Sequence, residues 1–242
     1  MFNEEANIEH AIAYAVDALA QHALDYEIVI VDDASTDQSP ELVRRAIAGN
    51  PRIRLIWHEF NQKLGTSLRT GFAAAKYDLD LYMDADLPFD PDALGRAIRA
   101  INVTRADMIA GYRFDRTREG LRRTIYTIVW NWMVRLLFGV SVRDVNFSFK
   151  LMKREVLDAL DLQSEGSLID AELVVKAIKR GFSVQQIGLD YFPRVHGVSH
   201  LSSPAVIVKM MRELIALYPD MKRRVPRSAP VVEFETAHRH RG

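Results

Sequence analysis

The chain has 242 residues, 48% of them hydrophobic and 26% charged, the makeup of one large or two small domains with a full core. Lys plus Arg equals Asp plus Glu at 32 each, so no global field would draw the chain to nucleic acid, and any electrostatic function must come from local clusters. Cysteine is absent, which excludes disulfides and thiolate metal ligands and fits a reducing compartment. The opening residues, MFNEEANIEH, are acidic and have no apolar leader segment. The longest apolar run, Ile125 to Val140, contains Asn131 and Arg135 and is too short to span a bilayer unaided. A soluble or peripheral protein is expected.

In chain order, strand-like runs fall at 27–31, 53–58, 79–83 and 107–111, with weaker ones at 148–152 and 183–191. Helical patterns lie between them near 40–48, 66–76, 91–102, 153–160 and 168–180. Ser39-Pro40 and Asp90-Pro91 each pair a capping side chain with a proline suited to the first helical position. This alternation predicts a mainly parallel sheet flanked by helices, whose ligands bind at the carboxyl ends of the strands. Two acidic turns sit at such ends. VDDASTD (31–37) follows the first strand, and YMDADLPFDP (82–91) follows the third, with Asp84 and Asp86 two residues apart. Two carboxylates at that spacing can reach one hard cation, Mg²⁺ or Mn²⁺, whose coordination a diphosphate would complete. The aspartates of the first turn suit turn formation and capping equally well.

Several motifs in register carry a resemblance. Asn3-Glu4-Glu5, then VDDASTD, NQKLGTSLRTGFAAA (61–75), DADLPFDP, GYRFDR, RDVNFSFKLMKREVL (143–157) and PRVHGVS (193–199) resemble the family 2 inverting glycosyltransferases. Within them, the chain is most similar to the dolichyl- or polyprenyl-phosphate mannose synthase branch. The resemblance covers roughly residues 1–200. It implies a GT-A (Rossmann-like) fold, a GDP- or UDP-sugar donor, a divalent metal and hexosyl transfer to a polyprenyl phosphate. Members begin with a complete central strand before the Asn-x-Glu motif, whereas this sequence starts at the motif. The first strand is therefore expected to be missing, either because the chain starts late or because the protein is a non-catalytic nucleotide-sugar binder.

The same resemblance implies roles residue by residue. Asn3, Glu4, Asp32 and Asp33 match the donor pocket, where Asp32 and Asp33 would accept hydrogen bonds from the base and ribose. Lys63, Gly65, Arg69 and Gly71 match a loop and helix start beside the donor, where glycine permits close backbone approach and a helix N-terminus favours phosphate. Asp84 and Asp86 match the metal ligands, with Pro88 where many members carry Gln. The expected catalytic residues are Asp86, acting through the metal, Arg194, closing over the diphosphate, and Asp144; His200 stands where a lysine is usual, which makes its contribution sensitive to pH. Arg113, Arg123 and Thr127 match the acceptor-phosphate positions, Thr127 replacing a serine. Asp144 is a third acid, before an acceptor-side motif altered here to Asn146-Phe147-Ser148-Phe149-Lys150, which leaves a hydroxyl acceptor open as the alternative, with Asp170 or Glu172 as its base.

The segment YRFDRTREGLRR (112–123) holds five arginines against Asp115 and Glu119 and suits phosphate. On the helix after it, Arg123, Thr127, Asn131 and Arg135 form a polar stripe, and Ile125, Ile128, Val129, Trp132 and Leu136 an apolar face, with Trp130 and Trp132 as interfacial rings. Such a helix either lies on a bilayer, gripping a lipid phosphate, or packs in the core with a solvated edge. The expected organisation is a catalytic domain over 1–200, an amphipathic helix over 201–220 and a disordered tail over 221–242, peripheral at the cytoplasmic face of a membrane or bound to a membrane-embedded partner.

Overall fold

A computed structural model describes residues 1–85, 92–114, 121–190 and 204–225. The elements run α1 (Ile8–His22), β1 (Ile28–Asp32), α2 (Ser39–Gly49), β2 (Ile53–Trp57), α3 (Lys63–Ala74), β3 (Leu79–Met83), α4 (Ala93–Thr104), β4 (Met108–Arg113) and α5 (Leu121–Phe138). They continue with β5 (Phe149–Lys153), α6 (Arg154–Ala159), α7 (Ile169–Lys179), β6 (Val184–Leu189) and α8 (Pro204–Lys222). All six expected strands form within two residues of their sequence bounds. Helix α1 was not anticipated: its buried stripe is Ile8, Ala11, Ile12 and Ala18, half of it alanine, and no side chain caps its start.

Among the described residues the strands form two sheets. β1 and β2 pair in parallel, and a second sheet has the order β3-β5-β4-β6. In the second sheet β4 and β6 are parallel, but β5 runs antiparallel to both β3 and β4, so this sheet is mixed. The edge of β1 away from β2 carries the Met1 backbone, which donates to the Val31 carbonyl at 2.5 Å and accepts from Asp33 N–H at 2.9 Å.

Side-chain alternation along the strands builds a core on each face of the second sheet. Met108 and Met152 point to one face, into a cluster with Trp130, Val134 and Phe138 of α5, Leu173 and Val174 of α7, and Leu214 and Met221 of α8. Ile109 and Leu151, their neighbours in sequence, point to the other face and meet Leu94, Ala97 and Ile101 of α4. Helix α7 lies between the sheet and α8, which buries every residue from Ile169 to Ala177. The stretch read as a disordered tail begins inside α8, and its remainder from 226 lies outside the described residues.

The expected cap at Ser39 is replaced by a tertiary contact. Helix α2 starts at Ser39 without a side-chain cap, and the Ser39 hydroxyl instead accepts the Glu4 N–H at 2.8 Å. The Asp90-Pro91 start lies outside the described residues, and α4 follows directly from Asp92.

At the far end of β3, Asp80 is 8% exposed and one of its oxygens has no hydrogen-bond partner. Arg154, 3.5 Å from that oxygen, spends its own donors on the carbonyls of Phe72 and Ala75. Burial outweighs Arg154 and pushes the Asp80 carboxyl from 3.8 to about 6. The folded state thus favours the neutral acid, a contribution complete below about pH 4 and lost as the pH rises towards 6. The shift corresponds to about 3 kcal/mol before screening, and screening by nearby solvent leaves on the order of 1 kcal/mol. Asp80→Asn is expected to raise Tm at pH 7.5 and to give no gain at pH 3.5 in parallel thermal melts. A lower Tm for the variant at pH 7.5 would refute the assignment.

Candidate active site

Three strand ends gather the charged residues. Asp32 closes β1 and is fully buried; one oxygen accepts the Ser35 N–H at 3.2 Å, while the other has no hydrogen-bond partner among the described residues. A buried acceptor left over in this way at a strand end is a binding feature in search of a donor. Asp33 is different. Its carboxylate accepts the amides of Gln62 and Lys63, each at 2.8 Å, and lies 2.8 Å from His58 Nδ1, whose Nε2 meets the Thr70 hydroxyl. Desolvation pushes the Asp33 carboxyl up, but His58 and the two amides together outweigh it and hold the group below its usual value. Asp33 therefore acts as the N-terminal anchor of α3, and the amides expected to favour a phosphate are already taken by a carboxylate.

The Asn3-Glu4-Glu5 turn is bound to the 33–39 loop. Asn3, with φ +56°, donates its N–H to the Ser35 hydroxyl and accepts the Thr36 N–H at 2.8 Å. Two more bonds cross the same gap: the Glu5 N–H donates to the Asp37 carboxylate, and the Gln38 N–H donates to the Glu5 carboxylate. The Glu4 carboxylate accepts from Asn7 at the start of α1. These residues set the shape of the loop around Asp32. Gly65 and Arg69 likewise hold protein rather than ligand. The Gly65 N–H donates to the Glu165 carbonyl at 2.7 Å, and Arg69 binds the Leu162 carbonyl and the Thr66 hydroxyl. A β-carbon at Gly71 would meet only Val31 at an ordinary 3.5 Å.

Asp84 follows β3 and is half-buried, with the Tyr82 hydroxyl 3.4 Å away. Asp32, Asp33 and Asp84 all act electrostatically on the Met1 nitrogen, which puts the two acidic turns side by side. Oxygen donors at neighbouring strand ends suit a hard divalent cation. Among the described residues no three potential ligands gather, so such a cation would also need Asp86, which lies outside them, and oxygens from the donor.

Beside Asp84, central strand β5 inserts Lys150, paired in register with Tyr82 on one side and Ala110 on the other. Lys150 is fully buried, donates to the Phe147 carbonyl at 2.7 Å and pairs with Asp170. Burial pushes the Asp170 carboxyl up, Lys150 opposes this, and Asp84 and Asp144 add to it. At the end of β4, Arg113 grips Asp144 with two bonds, 2.7 and 3.2 Å, and its guanidinium stacks 5.5 Å from the Phe147 ring centre. Both partners are buried. Glu172, the other candidate base for a hydroxyl acceptor, is fully buried and accepts the amides of Gln163 and Ser164 while pairing with Lys176 at 2.7 Å. His58 and Lys150 were missed as site residues; the apolar run around His58 and the strand around Lys150 masked them. Arg194 and His200 lie outside the described residues.

A model of the family described as glycosyl transferase family 2 matches residues 1–161. The chain belongs to glycosyltransferase family 2. Family 2 relatives include glycosyltransferase AglD of Haloferax volcanii, 29% identical over 80% of this chain and 32% of that one. Polyprenol monophosphomannose synthase of Mycolicibacterium smegmatis is 28% identical over 87% and 82% of the two chains. Undecaprenyl-phosphate 4-deoxy-4-formamido-L-arabinose transferase of Aeromonas hydrophila is 28% identical over 82% and 60%. The chain thus spans about a third of AglD's length and under two thirds of the last. The fold is GT-A-like. Glucosyl-3-phosphoglycerate synthase of Mycobacterium tuberculosis, solved with Mn²⁺, UDP-glucose and phosphoglyceric acid, matches at TM-score 0.67 and 19% identity over 92% of this chain and 77% of that one. The mannosyltransferase PcManGT of Pyrobaculum calidifontis, solved with GDP-Man and Mn²⁺, matches at TM-score 0.62 and 18% identity over 91% and 66%.

On this family 2 scaffold α5 carries apolar residues on both its faces. The inner face sends Trp130, Val134 and Phe138 into the core beside buried Asn131, which accepts the Val145 N–H, while the Trp130 indole donates to Asn146 and Arg135, itself exposed, donates to the Val142 carbonyl. The other apolar stripe faces out, with Leu136 71% exposed, Trp132 65%, Val129 60%, Ile128 54% and Ile125 49%. Phe114, at the end of β4, is 74% exposed. The backbone of Arg123 lies in the first turn of α5 and Thr127 is half-exposed one turn on.

Proposed function

We propose that the chain transfers a sugar, with inversion, from a GDP- or UDP-sugar to a polyprenyl phosphate at the cytoplasmic face of a membrane. The observation that carries this reading is the outward apolar stripe of α5, which follows the Arg113 strand end in the chain. An apolar stripe of this extent, crowned by a tryptophan, suits a lipid surface. Among the described residues no helix is long and apolar enough to cross a membrane, so contact would be made from the side. By their names, two relatives act on polyprenyl phosphates, and this supports the acceptor class. The nucleotide sugars and Mn²⁺ in the solved neighbours support the donor class and a divalent metal.

An acceptor phosphate monoester is anionic near neutral pH. One of its oxygens attacks the anomeric carbon, the bond from that carbon to the diphosphate oxygen breaks, and the nucleoside diphosphate leaves with the electron pair. No proton need be removed, so no base is required. That agrees with the acids present: Asp144 is held by Arg113, Asp170 by Lys150, and Glu172 by Lys176 and two amides. A hydroxyl acceptor would need one of them released. Arg113, Arg123 and Thr127 would orient the acceptor phosphate, with Asp144 fixing the plane of Arg113. Asp32 would receive the nucleoside, and Arg194 and His200 would meet the diphosphate. Asp84 and Asp86 would hold the metal, which when bound neutralises charge on the leaving diphosphate.

The test is a transfer assay with a panel of GDP- and UDP-sugars, Mg²⁺ or Mn²⁺, and polyprenyl phosphate presented in vesicles or as a short soluble analogue. Metal-dependent product is expected with both forms of acceptor and is abolished in Asp86→Ala. The double variant Trp132→Glu/Leu136→Glu should lose vesicle binding and vesicle-dependent turnover by at least about tenfold, since each large apolar side chain contributes about 1.5–3 kcal/mol when buried. Its turnover on the soluble analogue should stay near that of the parent. Transfer to sugar hydroxyls with none to lipid phosphate would overturn the reading, as would vesicle binding unchanged in the double variant.

A further inference from the structure

Two lysines distant in sequence meet beside the acidic turn. Lys63 opens α3 with a left-handed backbone, φ +73°, and its N–H is fixed on Asp33. That conformation is uncommon for a residue with a side chain. Lys209, on α8, lies against it: the Lys63 ammonium is the largest cause holding Lys209 below its ordinary value, with burial second. Both line a groove of about 880 Å³ between α8 and the 163–165 turn, with Arg212 and Glu213 also on α8 and Glu165 on the turn. Among the described residues one ion pair spans the groove, Lys209 to Glu165 at 3.6 Å, and both its side chains are well exposed to water. Such a pair holds its partners loosely.

Three cations thus share the groove with two carboxylates, and Lys63 disfavours the charge of Lys209. Like charges lining one groove repel, and an anion seated between them removes the repulsion. The position of the groove identifies the anion. Its lining includes Lys63, whose N–H is held by Asp33, the neighbour of Asp32 with its unmatched oxygen at the end of β1. The acceptor-side residues Arg113 and Thr127 belong to β4 and α5, neither of which lines this groove. We propose that Lys209 of α8 joins Lys63 to bind the diphosphate of the nucleotide-sugar donor, with Arg212 attracting the anion at the groove's outer wall. This rests on the donor class proposed above. It gives α8 a direct part in donor binding, beyond covering the core through Leu214 and Met221.

The experiment is equilibrium binding to the full chain, with Mg²⁺ and again with EDTA, of GDP and UDP, of guanosine and uridine, of pyrophosphate, and of a short polyprenyl phosphate. In Lys209→Met the nucleoside diphosphate that the parent prefers, and pyrophosphate, should bind at least about tenfold more weakly, a change of about 1.4 kcal/mol. The matching nucleoside should bind within twofold of the parent, and Lys209→Arg should recover most of the loss. Diphosphate affinity within twofold of the parent in Lys209→Met would overturn the proposal, as would an equal loss for the nucleoside, which would indicate a packing effect. A loss confined to polyprenyl phosphate would assign the groove to the acceptor and likewise overturn it. If the parent chain binds neither GDP nor UDP under either condition, the donor reading falls and this proposal with it; parent binding unaltered in Lys209→Met refutes the proposal alone.

Discussion

Asp144→Ala is expected to cost about 3–5 kcal/mol, because it removes the buried carboxylate that pairs with the buried Arg113 guanidinium. Arg113 is 8% exposed and gives two bonds to Asp144, which is itself fully enclosed. In a chain of this size each kcal/mol shifts Tm by about 2–4 °C, so a fall of roughly 10 °C is expected in a thermal melt. The companion variant Arg113→Met/Asp144→Leu tests the cause. Replacing both charges with apolar groups of similar volume removes the desolvation cost along with the attraction, and should restore most of the stability. It should not restore transfer, because the guanidinium fork goes with it. A double variant as unstable as Asp144→Ala would mean that shape, rather than charge, holds this corner together. Full turnover in the double variant would remove Arg113 from the acceptor site.

The Arg113–Asp144 pair also marks where sequence reading stops. Both residues are visible as candidates, one in an arginine-rich segment and one before an altered motif, but 31 positions separate them and nothing local joins them. The strands could be read because their periodicity is local, and β3 matches its expected bounds of 79–83. Helix α3 begins three residues before its expected start because Asp33, 30 positions upstream, supplies the carboxylate that anchors it. Ser39 has the chemistry of a cap, but the Glu4 amide takes its hydroxyl. On α5 the two faces could be read, but which of them would be buried could not. That was decided by Trp130, Val134 and Phe138, which enter the core, together with backbone groups and an asparagine at 142–146, which satisfy Arg135, Asn131 and Trp130; the other apolar stripe stays outside. The acidic turns gave the site's position at the strand ends. They did not separate Asp32, with an oxygen to spare, from Asp33, whose oxygens are committed.

Gly65→Ala should be the most disruptive single-carbon change on α3. A β-carbon at Gly65 would lie 2.2 Å from the Ser164 carbonyl oxygen and 2.7 Å from the Glu165 carbonyl carbon. Both are backbone atoms, and they cannot retreat cheaply. The amides of Gln163 and Ser164 are held by the buried Glu172 carboxylate, and Glu172 in turn by Lys176. Glycine is thus needed here for close approach to the protein's own backbone, where the motif had suggested close approach to a donor. Overpacking costs about 1–3 kcal/mol, and loss of the 2.7 Å bond from Gly65 N–H to the Glu165 carbonyl adds about 1 kcal/mol. A Tm about 5–12 °C lower is expected. Because the 163–165 turn is also the wall opposite Lys209, the surviving folded fraction should bind nucleoside diphosphate more weakly as well. Gly71→Ala, six residues along the same helix, meets only Val31 at 3.5 Å and should leave Tm within about 2 °C. If the two variants melt together, backbone contact at Gly65 does not fix the distance between α3 and the 163–165 turn.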